Sequence, residues 1–308
     1  MKTANKKSAR LLTAVLAAVM AISLCACDAT GLTSKQIAAA AAGGGNIPLE
    51  PQLYENTFDG AVEVGNGIFV DLTTAESGYI GVLNESGTKV KIQISMGDSK
   101  YTYNAFDDGR VTYVPLNCGD GTYTWIVLSN SVDTRYAVTD MGELSVIMNS
   151  EFEPYLHANV FADFDCDSKV TQKAYEMAAE CETELDFMVA VYQYICDNVS
   201  YDNELASTVQ DGYVPDPDKT LETGTGICFD YASLAVAMLR SVGLPAKLIT
   251  GYVGEAGLYH AWNSVYIEDT GWISVEMKID SVDWTRIDLT FAAAGNTEET
   301  RYVDRYVY

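Results

Sequence analysis

The spacing of apolar residues changes once along this chain, and that change limits its fold more than any other feature. From about Leu49 to Phe152, short runs rich in β-branched and aromatic residues are separated by turn clusters such as Asp107-Asp108-Gly109. From about Pro154 onward, apolar residues recur at the three- and four-residue spacing of helices before strand patterns return. The sequence therefore predicts an all-β domain over 49–152 and an α+β domain over 153–308.

The all-β domain contains seven predicted strands separated by turn residues. In one of them Val90, Ile92 and Ile94 alternate with Lys91 and Gln93, as expected of a strand with one buried face. The strands are predicted at 67–72, 79–83, 90–94, 101–103, 111–114, 123–128 and 144–148. Several short strands at this spacing predict an immunoglobulin-like sandwich. No cluster of chemically reactive residues lies within it.

The α+β domain begins with helices and ends with strands. A helix is predicted over 182–198, with Thr183 and Asp186 as its capping pair. A second helix is predicted to begin near Cys228 and to stop at Gly243, with Pro245 just beyond. Strands are predicted at 247–253, 259–267, 271–275 and 284–289. We expect this helix to pack on the antiparallel sheet that these strands form.

The first 27 residues have the pattern of a targeting signal. Basic residues precede the uncharged run 11–26, which is shorter than the roughly 20 residues of a membrane-spanning helix. The run ends in Leu24-Cys25-Ala26-Cys27, which resembles a bacterial lipobox and predicts lipidation of Cys27. An ordinary secretory signal and an uncleaved anchor are the alternatives. The predicted location is therefore the extracellular side of a bacterial cell membrane, with membrane contact through an N-terminal lipid.

Residues 28–48 are predicted to be a flexible linker, because they are nearly uncharged and include the low-complexity run Ala38–Gly45. About 20 flexible residues have a root-mean-square reach of roughly 25 Å.

Charge and cysteine content exclude several classes of function. The formal net charge of −24 argues against nucleic-acid partners and against electrostatic docking on anionic lipid. No metal or cofactor motif is present, so no cofactor is predicted. Beyond the signal lie five cysteines without a CxxC pair, and an odd number permits a free thiol. Disulfides among the other four are not decided by their spacing.

Cys228 stands where a reactive thiol would be expected. It follows Gly224-Thr225-Gly226-Ile227 and opens the predicted helix. Unpaired N–H groups and the helix dipole at such a start favour a thiolate, so we expect a lowered pKa for Cys228. The same N–H groups can stabilise the oxyanion that forms when a thiolate attacks a carbonyl.

A reactive thiol needs a base, and the chain has only two histidines. His260 lies in a strong strand pattern, which is a rigid position from which to aim an imidazole. His157 has no reactive residues near it in sequence and is predicted to be structural. A third group should hold the imidazole by its other nitrogen. The downstream candidates are Glu276, Asp280, Asp283 and Asp288.

These residues lie in three blocks that together resemble the transglutaminase-like superfamily. The nucleophile block consists of the segments 226–232, 238–240, 243–247 and 251–252. The histidine block is the segment 260–263. The stretch Gly212–Asp216 resembles the loop that precedes the cysteine in bacterial members. The aspartate block is usually Trp, three residues, then Asp-Pro-Thr, and Trp284 to Phe291 is similar to it with Leu289 in place of proline. Trp272 and Glu276 have the same spacing and form the competing alignment.

The resemblance implies a papain-like transglutaminase core and a mechanism. Cys228 would attack an amide, His260 would act as base, and Asp288 would orient the imidazole, with a thioester intermediate. Water as acceptor gives hydrolysis and an amine gives cross-linking; we expect hydrolysis of peptides or proteins at the cell surface, cell-wall peptide included. The alternative is a non-catalytic surface module that binds protein or cell-wall peptide with the same fold.

Overall fold

The protein is described by a computed structural model that covers residues 49–132, 135–253, 258–268, 270–280, 284–291 and 302–308. The predicted signal peptide with Cys27 and the predicted linker 28–48 lie outside these residues. Within the described part of the chain, no helix is both long enough and apolar enough to cross a lipid bilayer.

The first half folds into two four-stranded antiparallel sheets. The first sheet has the order β1-β2-β3-β6 and the second has the order β5-β4-β7-β8. Their bounds are β1 Val62–Gly65, β2 Ile68–Asp71, β3 Tyr79–Asn84, β4 Val90–Met96, β5 Ser99–Asn104, β6 Val111–Pro115, β7 Gly121–Val132 and β8 Arg135–Val146. The immunoglobulin-like assignment of these sheets stays a prediction.

The last strand of this half differs from its predicted bounds. β8 begins at Arg135 and its ladder with β7 ends where Gly121 pairs with Val146, so Ile147 and Met148 lie beyond the sheet. Ile147 is accordingly exposed. The apolar run 144–148 does not predict the bounds of β8, because β8 is an edge strand and its pairing with the long β7 determines where it begins and ends.

The core follows the pleat of the strands. Ile68, Val70, Ile92, Ile94 and Val127 are buried, whereas the residues between them along each strand are more exposed. The buried cluster continues from these sheets into the helices of the second half. The two halves therefore share one apolar core.

In the second half, the described residues form five α-helices and two further sheets. The helices are α1 Lys169–Ala178, α2 Glu184–Asn198, α3 Asn203–Thr208, α4 Pro217–Thr223 and α5 Cys228–Ser241. The predicted cap of α2 is confirmed, since the Asp186 N–H donates to Thr183 Oγ1 at 3.1 Å. The helices α1, α3 and α4 were not predicted from the sequence. The last of these carries a start signal, Asp216 as cap followed by Pro217 at the first helical position.

A five-stranded antiparallel sheet completes the fold, in the order β14-β13-β12-β11-β15. Its strands are β11 Ala246–Val253, β12 Leu258–Ile267, β13 Gly271–Asp280, β14 Trp284–Phe291 and β15 Tyr302–Val307. The two-stranded sheet pairs β9 Ser200–Tyr201 with β10 Thr225–Gly226. The helix α5 packs on β11 and β12, which confirms the α+β class and the predicted helix on an antiparallel sheet.

Candidate active site

The approach to Cys228 is fixed by backbone pairing. β10 runs parallel to β9, and the N–H of Asp202 donates to the carbonyl of Gly226 at 2.9 Å. Gly226 has a steric reason to be glycine, because a Cβ there would lie 2.6 Å from the Cβ of Asp230. A side chain at position 226 would therefore displace Asp230 from the start of α5.

Asp230 caps the helix that carries the thiol. Its Oδ2 accepts the N–H of Ile227 at 2.8 Å, and its Oδ1 accepts the hydroxyl of Tyr213 at 2.7 Å. Burial raises the pKa of Asp230, and these two hydrogen bonds oppose the rise. The loop residue Tyr213 thus holds the helix start, a contact across 17 residues that sequence spacing does not reveal.

Two further hydrogen bonds tie α5 to its surroundings. The Asn263 amide on β12 donates to the carbonyl of Ala232 at 3.0 Å, and the Tyr231 hydroxyl donates to the carbonyl of Val199 at 2.6 Å. All four residues are buried. The first turns of α5 are therefore held against both the sheet and the end of α2.

The sheet opens beside the start of α5. The ladder between β12 and β13 runs from the pair Ile267–Gly271 to the pair Asn263–Val275 and does not reach His260. The backbone N–H of Ala261 lies near enough to the half-buried thiol of Cys228 to lower its pKa. Ala261 directly follows His260 on β12, so the backbone beside His260 lies near the start of α5. The pairing of the Cys228 thiol with the His260 imidazole stays a prediction.

The pKa of the Cys228 thiol is raised, not lowered as the helix start alone suggested. Burial is the largest cause, and the negative charge of Asp230 adds to it. The N–H groups of Ala261 and Phe229 oppose the rise without reversing it. The sequence-based expectation was wrong in sign because burial depends on tertiary packing. At neutral pH the resting thiol is therefore protonated.

The two acids proposed as third group lie on neighbouring strands. Asp288 on β14 is paired directly with Glu276 on β13. Their side chains, like those of Asp280 and Asp283, lie outside what the structure describes. The backbone register thus puts both candidates at one level of the sheet, and the role of Asp288 stays a prediction.

His157 has the features of a structural histidine. It is buried, its Nδ1 lies 3.0 Å from Asn56 Oδ1, and its Nε2 lies 3.4 Å from Glu153 Oε2. Burial, followed by the nearby charge of Arg240, lowers the pKa of His157 to about 4. The imidazole is therefore neutral near pH 7.

The five cysteines of the described residues, from Cys118 to Cys228, are free thiols. Cys196 is partly buried on α2, and burial raises its pKa to about 12. Within the described ranges no three His, Cys, Asp or Glu side chains are grouped as metal ligands would be.

The second half thus has a cysteine at the start of a helix, and this helix packs on the strand that carries a histidine. Residues 171–277 match the model of the transglutaminase-like superfamily. The chain therefore contains a transglutaminase-like domain, and enzymes of this superfamily are cysteine-dependent proteases and transglutaminases.

Curated relatives share this region. The chain is 30% identical over 128 residues to mouse kyphoscoliosis peptidase, covering 38% of this chain and 19% of the relative. It is 34% identical over 71 residues to protein-glutamine gamma-glutamyltransferase of Pseudomonas aeruginosa, covering 19% and 11%. The chain spans about a fifth, or less, of the length of its curated relatives.

Among solved structures, the chain is similar to the periplasmic domain of TgpA from Pseudomonas aeruginosa, with 16% identity and a TM-score of 0.33. The alignment covers 70% of this chain and 94% of that domain.

Proposed function

We propose that this protein is a cell-surface, cysteine-dependent acyl-transfer enzyme that acts on peptide or side-chain amides. The proposal is supported most by the position of the Cys228 thiol at the start of α5, near the N–H of Ala261, the residue that follows His260 on β12. In the proposed site Cys228 is the nucleophile, His260 is the base and the first N–H groups of α5 stabilise the oxyanion.

The proposed reaction begins from the protonated thiol. His260 takes the proton of Cys228 as its sulfur attacks the amide carbon, and the carbonyl oxygen gains negative charge near the first N–H groups of α5. The C–N bond then breaks, the amine leaves with the proton from His260, and a thioester remains on Cys228. Water, deprotonated by His260, attacks the thioester and releases the acid and the free thiol. An amine in place of water gives cross-linking.

Hydrolysis is the preferred outcome, and peptides or proteins outside the cell, cell-wall peptide included, are the proposed substrates. An electrophilic acyl probe tests the chemistry directly. We expect the probe to form a thioester on Cys228 that mass spectrometry maps to the peptide containing this residue. Labelling confined to Cys118 or Cys166, with Cys228 unmodified, would contradict the proposed enzymatic activity. It would favour the alternative, a non-catalytic surface module that binds protein or cell-wall peptide.

Two substitutions of a carboxylate by its amide, Asp288→Asn and Glu276→Gln, test which acid orients His260. We expect Asp288→Asn to lower turnover by roughly 100-fold or more with the fold intact, because the imidazole loses control of its tautomer. The family match ends at residue 277, which includes Glu276 and excludes Asp288, so Glu276→Gln is the necessary counterpart. A strong loss with Glu276→Gln and none with Asp288→Asn would assign the role to Glu276.

The raised pKa of Cys228 predicts the pH dependence of its alkylation. A thiol with a raised pKa forms its thiolate only at higher pH, so we expect alkylation by iodoacetamide to keep increasing through the ordinary thiol value of 9.0. The modified peptide is quantified by mass spectrometry across the pH range. A plateau below about pH 7 would instead indicate a preformed thiolate–imidazolium pair.

The proposed anchor is tested separately. We expect the protein made in a bacterial host to partition into the detergent phase, and Cys27→Ala to move it into the aqueous phase, because about 0.8 kcal/mol per buried CH₂ is lost with the lipid. Phase partition and the mass of the N-terminal peptide measure this. An unchanged partition, or cleavage at another site, would contradict lipidation of Cys27.

A further inference from the structure

A pocket of about 470 Å³ lies on the face of the five-stranded sheet that is turned away from α5. β5 and the segment after β6 close its other side, with Tyr101 and Asn117 among the lining residues. Its volume is within the range of about 300–1,000 Å³ typical of small-molecule sites. The roles proposed for Cys228 and His260 use none of its residues.

Three hydrogen-bond donors stand in a row on one wall of this pocket. Lys247 on β11 is paired directly with Ser264 on β12, and Ser264 is paired directly with Ser274 on β13. Directly paired residues project from the same face of a sheet with Cβ atoms roughly 5 Å apart. The ammonium and both hydroxyls therefore face the same cavity, side by side.

These donors have no acceptor in the described part of the protein. Neither serine hydroxyl has a hydrogen-bond partner there, and the Lys247 ammonium contacts only rings, 3.7 Å from the centroid of Trp272 and 4.6 Å from that of Tyr155. Burial lowers the pKa of Lys247, and the charges of Glu151 and Asp304, neither of which forms an ion pair with it, oppose the shift. A half-buried cation beside two free hydroxyls is the donor set that a carboxylate satisfies.

A single acid lines the same pocket. Asp304 on β15 interacts electrostatically with Lys247, but the two side chains do not form an ion pair, and Asp304 has no hydrogen-bond partner among the described residues. The pocket therefore presents an anion site and a cation site that are separate, with the aromatic rings of Tyr155 and Trp272 beside them. One ligand that carries both charges would satisfy both sites.

We propose that this pocket binds a small zwitterion, an amino acid or a short peptide with both termini free. Its carboxylate contacts Lys247, Ser264 and Ser274, and its ammonium contacts Asp304. Apolar parts of the ligand pack on Trp272 and Tyr155. The site is separate from the centre at Cys228, so its occupancy does not depend on the activity proposed there.

Calorimetric titration of the Cys228→Ala protein, which cannot turn the ligand over, tests the proposal with leucine and glycyl-leucine. Whichever binds is then compared with its N-acetyl form and its C-terminal amide. We expect each blocked form to bind about tenfold more weakly, because one charged contact is lost.

The variants assign each end of the ligand. The Lys247→Met protein should bind the free ligand about tenfold more weakly than the parent protein does, and it should bind the C-terminal amide as well as the free ligand. The Asp304→Asn protein should bind the free and the N-acetylated ligand equally well. Ser274→Ala is the milder change should Lys247→Met fail to fold. Lys91→Met is the matched control, since Lys91 lies over the ring of Tyr136 outside this pocket. Equal binding of free and blocked ligands, or no binding of either probe at 10 mM, would overturn the proposal.

Discussion

Replacing Cys228 with serine is expected to lower amide turnover roughly ten-thousand-fold or more. A hydroxyl is far less acidic than a thiol, so His260 cannot supply an equally good nucleophile from it. The effect should be close to complete because the proposed site contains one nucleophile. Turnover is measured on a mixture of unstructured peptides, as cleavage detected by mass spectrometry and as ammonia release.

The stability of the Cys228→Ser protein should change little. The thiol is half-buried at the start of α5, and the helix is held by Asp230, Tyr231 and Asn263 rather than by the sulfur. Cys196→Ser is the matched control, because Cys196 is a partly buried thiol on α2 outside the proposed site, and its loss should leave turnover within about twofold. Turnover that survives Cys228→Ser would place the chemistry elsewhere.

The position of Cys228 at a helix start could be predicted from the sequence because its signals are local. Apolar residues at helical spacing begin beside it, and Gly243 with Pro245 ends the pattern. The strand that carries His260 was predictable for the same reason. The structure agrees, with α5 at Cys228–Ser241 and β12 at Leu258–Ile267.

Features that depend on distant packing could not be predicted. The pKa of Cys228 is raised by burial, which depends on tertiary packing, and the opposing N–H of Ala261 lies on another element, β12. The strand β15 contains Asp304 and Arg305 and has no strong apolar alternation, so only its pairing with β11 reveals it. The row formed by Lys247 and its two serine neighbours exists only through strand register.

A second large effect is expected from Arg240, which is fully buried on α5. Its guanidinium donates to the carbonyls of Ala246 at 2.6 and 2.8 Å, His157 at 2.8 Å and Tyr308 at 2.9 Å. These bonds join the end of α5 to three separate segments of the chain. Burial lowers the pKa of Arg240 to about 9, so the side chain is still charged near pH 7.

We expect Arg240→Ala to reduce the free energy of unfolding by at least about 4 kcal/mol. The variant removes the buried side-chain donors from the backbone oxygens of Ala246, His157 and Tyr308, at about 1 kcal/mol or more each, and opens a cavity in the core. Arg240→Met fills most of the volume but restores no donor, and should still cost about 2 kcal/mol or more. The midpoint of urea unfolding, followed by circular dichroism, measures each change.

Arg110 offers a matched control, because its guanidinium pairs with the carboxylates of Asp108 at 2.9 Å and Asp163 at 2.6 Å near the surface. Arg110→Ala should cost only about 1 kcal/mol or less, since water replaces the lost partners of an exposed ion pair. The buried backbone oxygens that Arg240 contacts would thus lose more from its removal than the surface carboxylates lose from the removal of Arg110. Equal losses for Arg240→Ala and Arg110→Ala would show that Arg240 is not needed to join these segments.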